Sequence, residues 1–512
     1  MFKDIKSIFN LVIIIITAVF SNFYFGSIGA YPIDSFAFFD SAYAVMNGTI
    51  PFKDYWVMNG AILDFFQAII FYVFGVNWQA YLLHSSIVNA IFGITSFLLL
   101  KNLGLNQPFS LFYAICISLL SYPIVGVPFP DHHSILFSYI GVYALILSIK
   151  YEKKRYWFLL PIIFFIAFFS KQAPAGYFII LLTVVTLLYS VINKKYNWVM
   201  PIATMSLILF FFIIFFLITN NIKIEDFFIQ YFLFPTTIGE DRFAKINFFS
   251  FDLILKHKLI FLCLLILMYI YIHKINNNKK YFFQKESFFV ILFICSILIA
   301  IFHQSLTKNQ IFIYFLIPLL CGFCQSLLDK NKFFFIIFLL AITLFGTIKY
   351  HFKFNIDRKF MELEHVDLTI IEKGEDINNI LKGLKWTNGE FTGDPKKEVQ
   401  YLKSTIEHLK NDKRKFIIIT NYQFILSSIN KNSFSPNRWY TVDGVSYPLK
   451  NNKYHVYYKK FYNQKLKEKK IEVIYTILPL TIETIDFVLK KDCFSSLKIN
   501  PILFEHRLKN CF

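Results

Sequence analysis

The sequence is short of charge. Only 17% of its 512 residues are Asp, Glu, Lys or Arg and 56% are hydrophobic, where a soluble domain carries about 25% and about 45–50%. With a mean hydropathy of +0.52, a water-soluble enzyme is excluded and the chain reads as a polytopic membrane protein. Nucleotide motifs are missing as well. There is no G-x-x-x-x-G-K-[ST] run and no Rossmann glycine fingerprint, which disfavours nucleotide-driven transport and cytoplasmic nucleotide-sugar chemistry. No internal repeat is visible. The opening residues Met1-Phe-Lys-Asp-Ile-Lys6 lead into an apolar run without a small-residue cleavage site, so they read as a retained signal anchor. Cysteine is scarce, at seven residues. Cys116, Cys263, Cys295, Cys321 and Cys324 lie in apolar runs, where a thiol behaves as a small hydrophobe. The Cys321-x-x-Cys324 pair has no second pair or histidine beside it, which argues against zinc. Cys493 and Cys511 stand in the tail and could form a disulfide if the tail is exported.

The charge that is present is unevenly placed. The formal net charge is +19, from 52 Lys and Arg against 33 Asp and Glu. In a membrane protein such an excess records basic cytoplasmic loops, so nucleic acid is not an expected partner. From His351 onward 47 of 162 residues are charged, leaving 38 in the first 350. The expectation is a membrane body over 1–350 and a soluble domain over 351–512.

Apolar runs near spanning length fall at 8–27, 81–100, 109–126, 134–149, 156–170, 175–193, 198–219, 259–273, 287–303, 310–328 and 333–350, and these are read as eleven spans. With the N-terminus in the cytoplasm, the inner side receives Lys3 and Lys6, Lys101, Lys150 to Arg155, Lys194 and Lys195, Lys274 to Lys285, and Lys330 and Lys332, as retention of basic residues requires. Lys256 and Lys258 run against the rule. Eleven crossings carry the tail outside. The run 60–75 holds Asp64 and Gln67 one turn apart, and counting it as a span would export the Lys-rich loops, so it reads as an interfacial helix. A second short surface helix is expected over 34–48, ended by Asn47-Gly48 and Pro51.

Directly after the first span stand Tyr31-Pro-Ile-Asp34, then Asn47-Gly48-Thr-Ile-Pro51-Phe-Lys-Asp54-Tyr-Trp56, then Asn59-Gly60. This run resembles the first periplasmic loop of the GT-C glycosyltransferases, and among them the family 39 type, which includes protein O-mannosyltransferases and the lipid A aminoarabinose transferase. Those enzymes open the first juxtamembrane helix with an acidic residue, follow it with a G-x-x-P-[YF]-x-D turn, and place a second juxtamembrane helix before the next span. Asp34, Gly48, Pro51, Phe52 and Asp54 match in order and spacing. The chain departs at Asp34-Ser35, where an Asp-Glu pair is usual, and at Asn59-Gly60, where Pro-Pro or Gly-Pro is usual. The resemblance covers residues 1–350 and, as a general arrangement, an exported C-terminal domain. It implies a polytopic α-helical protein of the GT-C type with a small α/β extracytoplasmic domain. The implied activity is transfer of a sugar from a polyprenyl-phosphate-linked donor to a lipid, glycan or protein acceptor on the outer face of the membrane.

Such a transfer needs a carboxylate to deprotonate or orient the acceptor, and cationic or donor groups to hold the departing phosphate. Asp34 begins a surface helix, whose N-terminus favours the ionised form. The resemblance makes it the catalytic base, and an N-cap role is compatible. Asp40, six residues on, lies on about the opposite face and is secondary. Pro128-Phe-Pro130-Asp131-His132-His133-Ser134 puts a carboxylate and two imidazoles at the entrance to the fourth span, a functional signal by default. Asp131 matches the acidic residue that the resembled enzymes place beside the first-loop aspartate; a solvated helix start is the other reading. A divalent metal is open here, although the adjacent side chains of His132 and His133 point apart. In Ser170-Lys171-Gln172, a lysine kept outside against the charge rule wants an anion. Similar enzymes turn a Lys-Gln or Lys-Pro towards the lipid phosphate, and snorkelling is the alternative. The loop His303-Gln304 to Lys308-Asn-Gln310 could complete a phosphate or pyrophosphate site, with an ordinary hydrated turn as the favoured alternative. The catalytic candidates are thus Asp34 and Asp131, and the substrate-binding candidates are Lys171, Gln172, His303, Asp54, His132 and His133. The outer loop 220–256, with Glu225-Asp226 and Gly239-Glu-Asp-Arg242, caps the cavity without a named role.

The tail alternates strand-like runs at 415–420 and 471–478 with helical stretches at 396–411 and 481–491, which reads as a small α/β domain. Trp439, Tyr440, Tyr447, Tyr454, Tyr457 and Tyr458 could stack on sugars or rest on headgroups. The Lys-rich 449–470 stretch could meet anionic membrane lipids or polysaccharide. The competing function is a transporter or flippase of lipid-linked saccharides. Transporters commonly show two related halves and midplane ionisable groups, whereas here the carboxylates crowd into outer loops. A non-catalytic scaffold is the third reading. The Phe-, Ile-, Asn- and Lys-rich vocabulary fits a bacterial plasma membrane protein.

Overall fold

A computed structural model describes residues 5–244, 251–307, 312–329, 332–391, 393–433, 435–441, 443–486 and 491–509. The first helix is α1 (Ile5–Gly26), followed by three short ones, α2 (Pro32–Ser35), α3 (Phe39–Met46) and α4 (Ala61–Phe74). Then come α5 (Trp78–Asn102), α6 (Gln107–Leu120), α7 (Pro130–Tyr151), α8 (Lys154–Ser170), α9 (Gln172–Asn193) and α10 (Val199–Thr219). The chain continues through the small α11 (Ile224–Phe228), α12 (Phe234–Phe243) and α13 (Phe251–Lys256) to α14 (Lys258–Asn277), α15 (Lys285–Leu306), α16 (Leu316–Leu327) and α17 (Phe333–His351). Among the described residues nine helical segments are long and apolar enough to cross a membrane: α1, α5, α6 with its continuation (Gln107–Ile124), α7, α9, α10, α14, α15, and α17 with its continuation (Phe333–Met361). The other two expected spans are also helices, α8 with 17 residues and α16 with 12. A bilayer core asks for about 20 residues from a helix that faces lipid. α16 escapes that demand, because it is buried from Leu316 to Gln325 and packs on α6, α14 and α17.

The outside of the bundle is apolar. α10 buries only Pro201 and Leu217 and exposes Phe211, Phe215 and Ile218, a face that suits hydrocarbon and not water. The polar side chains turn inward. Asn22 of α1 donates to Ser85 Oγ at 2.8 Å, Ser86 Oγ at 3.0 Å and the Gly126 carbonyl at 2.9 Å, tying α1 to α5 as small and amide residues do between membrane helices. The contact depends on two glycines. A Cβ on Gly126, which sits at φ +83°, would lie 2.3 Å from the Gly26 Cα. Overpacking and a positive φ both oppose a side chain there. Gly126→Ala is therefore expected to destabilise the detergent-solubilised protein by about 1–3 kcal/mol, read as a lowered midpoint of thermal unfolding. An unchanged midpoint would contradict the close approach.

The segment after α1 holds three short helices where two were expected. α4 is polar inside and apolar outside: Asp64 and Gln67 are fully buried while Ile69, Tyr72, Val73 and Phe74 are exposed. Its polar pair therefore faces protein instead of headgroups.

The residues after α17 form the C-terminal α/β domain. A short antiparallel pair, β1 (Glu372–Lys373) and β2 (Lys385–Trp386), precedes α18 (Pro395–Asn411). The main sheet has the order β3 (Phe416–Ile419), β4 (Val473–Ile477), β6 (Leu503–Leu508), β5 (Phe494–Lys498). β3 and β4 run parallel, and both other pairings are antiparallel. The two fully buried strands β3 and β4 are the two apolar runs read from the sequence. Their crossover carries α19 (Ile425–Ser428) and α20 (His455–Lys469). α20 buries Tyr458, Phe461, Tyr462 and Leu466, and this face accounts for part of the tail's tyrosine. The stretch 481–491 differs from expectation. Among its described residues it holds short 3-10 turns at Ile482–Ile485 and Lys491–Cys493. Thr481, Ile482, Thr484 and Ile485 are β-branched, which weakens an α-helix there. Cys493 is disulfide-bonded; Cys511 lies outside the described residues, as do Lys308, Asn309 and Gln310.

The domain sits on one end of the bundle and grips the segment after α1. The Asp40 carboxylate accepts from the backbone N–H groups of Leu426 at 3.1 Å and Ser427 at 2.9 Å. Trp439 Nε1 donates to the Ile33 carbonyl at 2.8 Å. The buried Arg358 guanidinium donates to the carbonyls of Ile28, Pro123, Ile124 and Val125 at 2.8–3.3 Å, satisfying the irregular backbone between α6 and α7.

Candidate active site

At that end of the bundle lies a cavity of about 570 Å³. Its wall includes Asp131 at the start of α7, Lys171 and Gln172 between α8 and α9, His303 in the last turn of α15, Arg242 in the last turn of α12, and Trp439 from the C-terminal domain. Local sequence explains the placement. Pro130 takes the first position of α7, where its missing N–H costs nothing, and Asp131 follows in the first turn, where the helix dipole favours a carboxylate. Lys171 interrupts the helical run with an extended backbone, φ −160° and ψ 134°. Its carbonyl accepts from Ser134 Oγ at 2.9 Å, and its side chain is turned into the bundle.

These residues meet. Lys171 Nζ donates to both Asp131 oxygens, at 2.7 and 2.6 Å, and His303 Nε2 lies 3.1 Å from Asp131 Oδ1. The Lys171 side chain is 16% exposed and that of Asp131 4%. A buried pair of this kind says little about net stability, but it fixes three side chains from three helices. Gln172 Nε2 donates to the carbonyls of Met58 and Tyr231, both at 2.7 Å, and so pins the segment after α1 to the loop that carries α12. The sequence offered Lys171 as a free cation for phosphate and Asp131 as a partner of Asp34. The structure couples the two to each other.

Asp34 is the unpaired carboxylate. It lies in α2, half-buried, and its side chain has no hydrogen-bond partner among the described residues. It is not among the residues that line the cavity; it follows Ile33, whose carbonyl accepts from Trp439 of the wall, and it feels the charges of Asp131 and Lys171. Burial, reinforced by the negative charge of Asp131 and opposed by Lys171, pushes its carboxyl up to about 7, the range of a general base working near neutrality.

The other sequence candidates lie elsewhere. His132 is buried against Phe312, ring centroids 4.2 Å apart. His133 packs away from the cavity, its Nε2 3.0 Å from His84 Nε2 and its Nδ1 against the Tyr122 hydroxyl. Asp54 accepts from the Ile50 N–H at 2.9 Å and pairs with Lys469 Nζ at 3.2 Å, which closes the Gly48 to Asp54 turn. None of the three lines the cavity. Among the described residues no group of three or more His, Cys, Asp or Glu side chains is arranged to hold a metal ion.

Sequence reading missed a second buried pair. Arg438 Nη1 lies 2.7 Å from Asp64 Oδ2, with the two side chains 3% and 0% exposed. Arg438 Nη2 donates to the Asn59 carbonyl at 2.6 Å, and Asp64 also accepts from the hydroxyls of Ser41 and Tyr55. A signal was present: only six of the 52 basic residues are arginine. In so lysine-rich a chain, each arginine marks a place that calls for its planar fork of donors. Arg358 and Arg438 fit that description.

Beside the polar cavity runs an apolar groove of about 600 Å³ between α8, α9 and α10, lined by Phe164, Leu182, Phe210 and Ile213. Phe168 and Phe232 line both spaces, so the two are neighbours.

No protein-family model matches the sequence, and no curated protein matches it. Among solved structures the chain is similar to the archaeal oligosaccharyltransferase AglB from Archaeoglobus fulgidus in complex with an inhibitory peptide and a dolichol-phosphate. The TM-score is 0.44 and the identity 12%, over 99% of this chain and 75% of that one.

Proposed function

We propose that this membrane protein is a GT-C type glycosyltransferase that moves a sugar from a polyprenyl-phosphate donor to an acceptor hydroxyl, with Asp34 as the base. The observation that carries the reading is an unpaired carboxylate with raised proton affinity within electrostatic range of a polar cavity, with an apolar groove next to that cavity. The groove suits an isoprenoid chain, and the cavity suits the phosphate and sugar. In the reaction Asp34 takes the acceptor proton, the acceptor oxygen attacks the anomeric carbon, and the bond from that carbon to the phosphate oxygen breaks. Polyprenyl phosphate leaves with the electron pair, and direct displacement inverts the anomeric centre. Asp131 positions Lys171 and holds up the proton affinity of Asp34. Lys171 has three N–H donors, of which Asp131 takes two, leaving one for the phosphate.

The N-terminus is then cytoplasmic, and the cavity and the 351–512 domain are outside. Lys101, the 150–155 run, Lys194 and Lys195, and the 274–285 run all lie at the helix ends opposite the cavity, in keeping with retention of basic loops. A transporter finds less support, since Asp131, Lys171 and His303 stand at helix ends and not at mid-depth.

The test is transfer of radiolabelled sugar by the purified protein in lipid vesicles, from a panel of polyprenyl-phosphate sugars with nucleotide sugars as controls. Labelled product from a lipid donor is expected. Movement of labelled lipid across the bilayer without any transfer would replace this reading with the transporter.

A further inference from the structure

We infer that Arg242, at the end of α12, is the group that takes the charge of the donor phosphate, and that Lys171 is its helper. The inference rests on the proposed function and deepens it. Three basic side chains line the cavity, namely Lys171, His303 and Arg242. The first two are engaged by Asp131, Lys171 through two short bonds to its carboxylate and His303 through one. Their charge is largely cancelled before any ligand arrives. Arg242 is half-buried and, among the described residues, has no ion pair or side-chain hydrogen bond. It lines the same cavity as Lys171 and His303, and its charge reaches both. The carboxylates nearest in sequence, Asp241 and Glu240, are both exposed, and neither makes an ion pair with it among the described residues. A planar guanidinium can meet two phosphate oxygens at once, which an ammonium cannot. The polyprenyl phosphate would therefore lie with its chain past Phe168 and Phe232 and its head between Arg242 and the third N–H of Lys171.

The experiment measures binding without catalysis. Wild type, Arg242→Gln and Arg242→Lys in nanodiscs are titrated with a long-chain polyprenyl monophosphate and with the corresponding polyprenol, which lacks the phosphate. Wild type is expected to prefer the phosphate. Arg242→Gln should lose about 10- to 100-fold in affinity for the phosphate, the worth of a charged hydrogen-bonding group, with the alcohol unaffected. Arg242→Lys should recover part of the loss. Equal phosphate affinity in wild type and Arg242→Gln overturns the inference, as does an equal loss for both lipids. If wild type itself shows no preference for the phosphate, the lipid-phosphate reading of the cavity fails, and the role of Arg242 fails with it.

Discussion

Asp34→Asn is expected to remove sugar transfer, lowering kcat by about 100- to 10,000-fold, the usual contribution of a positioned base, while polyprenyl phosphate still binds. The amide keeps the size of the carboxylate and loses only its capacity to accept the acceptor proton. The wild-type pH profile should carry the same group's signature. A base must be ionised, and burial with Asp131 beside it holds the Asp34 carboxyl near 7. Activity should therefore rise with pH, reach half its plateau near 7 and be lost below. Asp131→Asn removes the negative neighbour and releases the positive charge of Lys171 towards Asp34. Both changes favour the carboxylate, so the rise should move to lower pH. Transfer by Asp34→Asn at the wild-type rate would sink the assignment, and a profile flat between pH 5 and 9 would separate Asp34 from the rate.

The largest expected loss of stability belongs to Arg438. Arg438→Gln leaves the Asp64 carboxylate in a fully buried site with only the Ser41 and Tyr55 hydroxyls. Removing one partner of a buried ion pair typically costs about 3–5 kcal/mol, whereas replacing both with apolar residues is often close to neutral. The double variant Arg438→Met with Asp64→Leu should thus be more stable than either single change. Thermal unfolding and limited proteolysis report the two consequences, a lower midpoint and earlier cleavage between α17 and α18. A single change within about 0.5 kcal/mol of wild type, the range of an ordinary surface substitution, would show that this pair does not hold the two parts together.

The bundle was largely legible in the sequence, because hydrocarbon thickness sets the length of a lipid-facing helix, and each of the eleven apolar runs holds a helix. Helix starts were less legible. The fourth span begins at Pro130, four residues before the apolar run, since a proline in the first turn costs a helix no hydrogen bond. That extension turns Asp131, His132 and His133 from a loop into a first helical turn and sends the three side chains in different directions. The short α16 and the inverted polarity of α4 depend on what surrounds them, which no local pattern records. In the site, Asp131, Lys171 and His303 were each visible as polar residues at the same end of neighbouring spans, but their mutual bonds were not. Opposite charges at one end of adjacent membrane helices will pair where water is scarce, and that consideration would have joined them. Arg438 and Asp64 are 374 positions apart, and only the docking of the C-terminal domain brings them together.

That docking also sets an order of events. By His351 the ribosome has made the whole helical bundle, including Asp34, Asp131, Lys171 and His303. Trp439 and Val445, which belong to the cavity wall, come almost a hundred residues later, on a crossover that is fixed only when β4 joins β3, and the sheet is finished by β6 at Leu503–Leu508. The newborn protein therefore carries the side chains of the proposed site in an open basin until the C-terminal domain is in place. A chain that stops early would have the residues of the proposed site but lack one wall of the cavity.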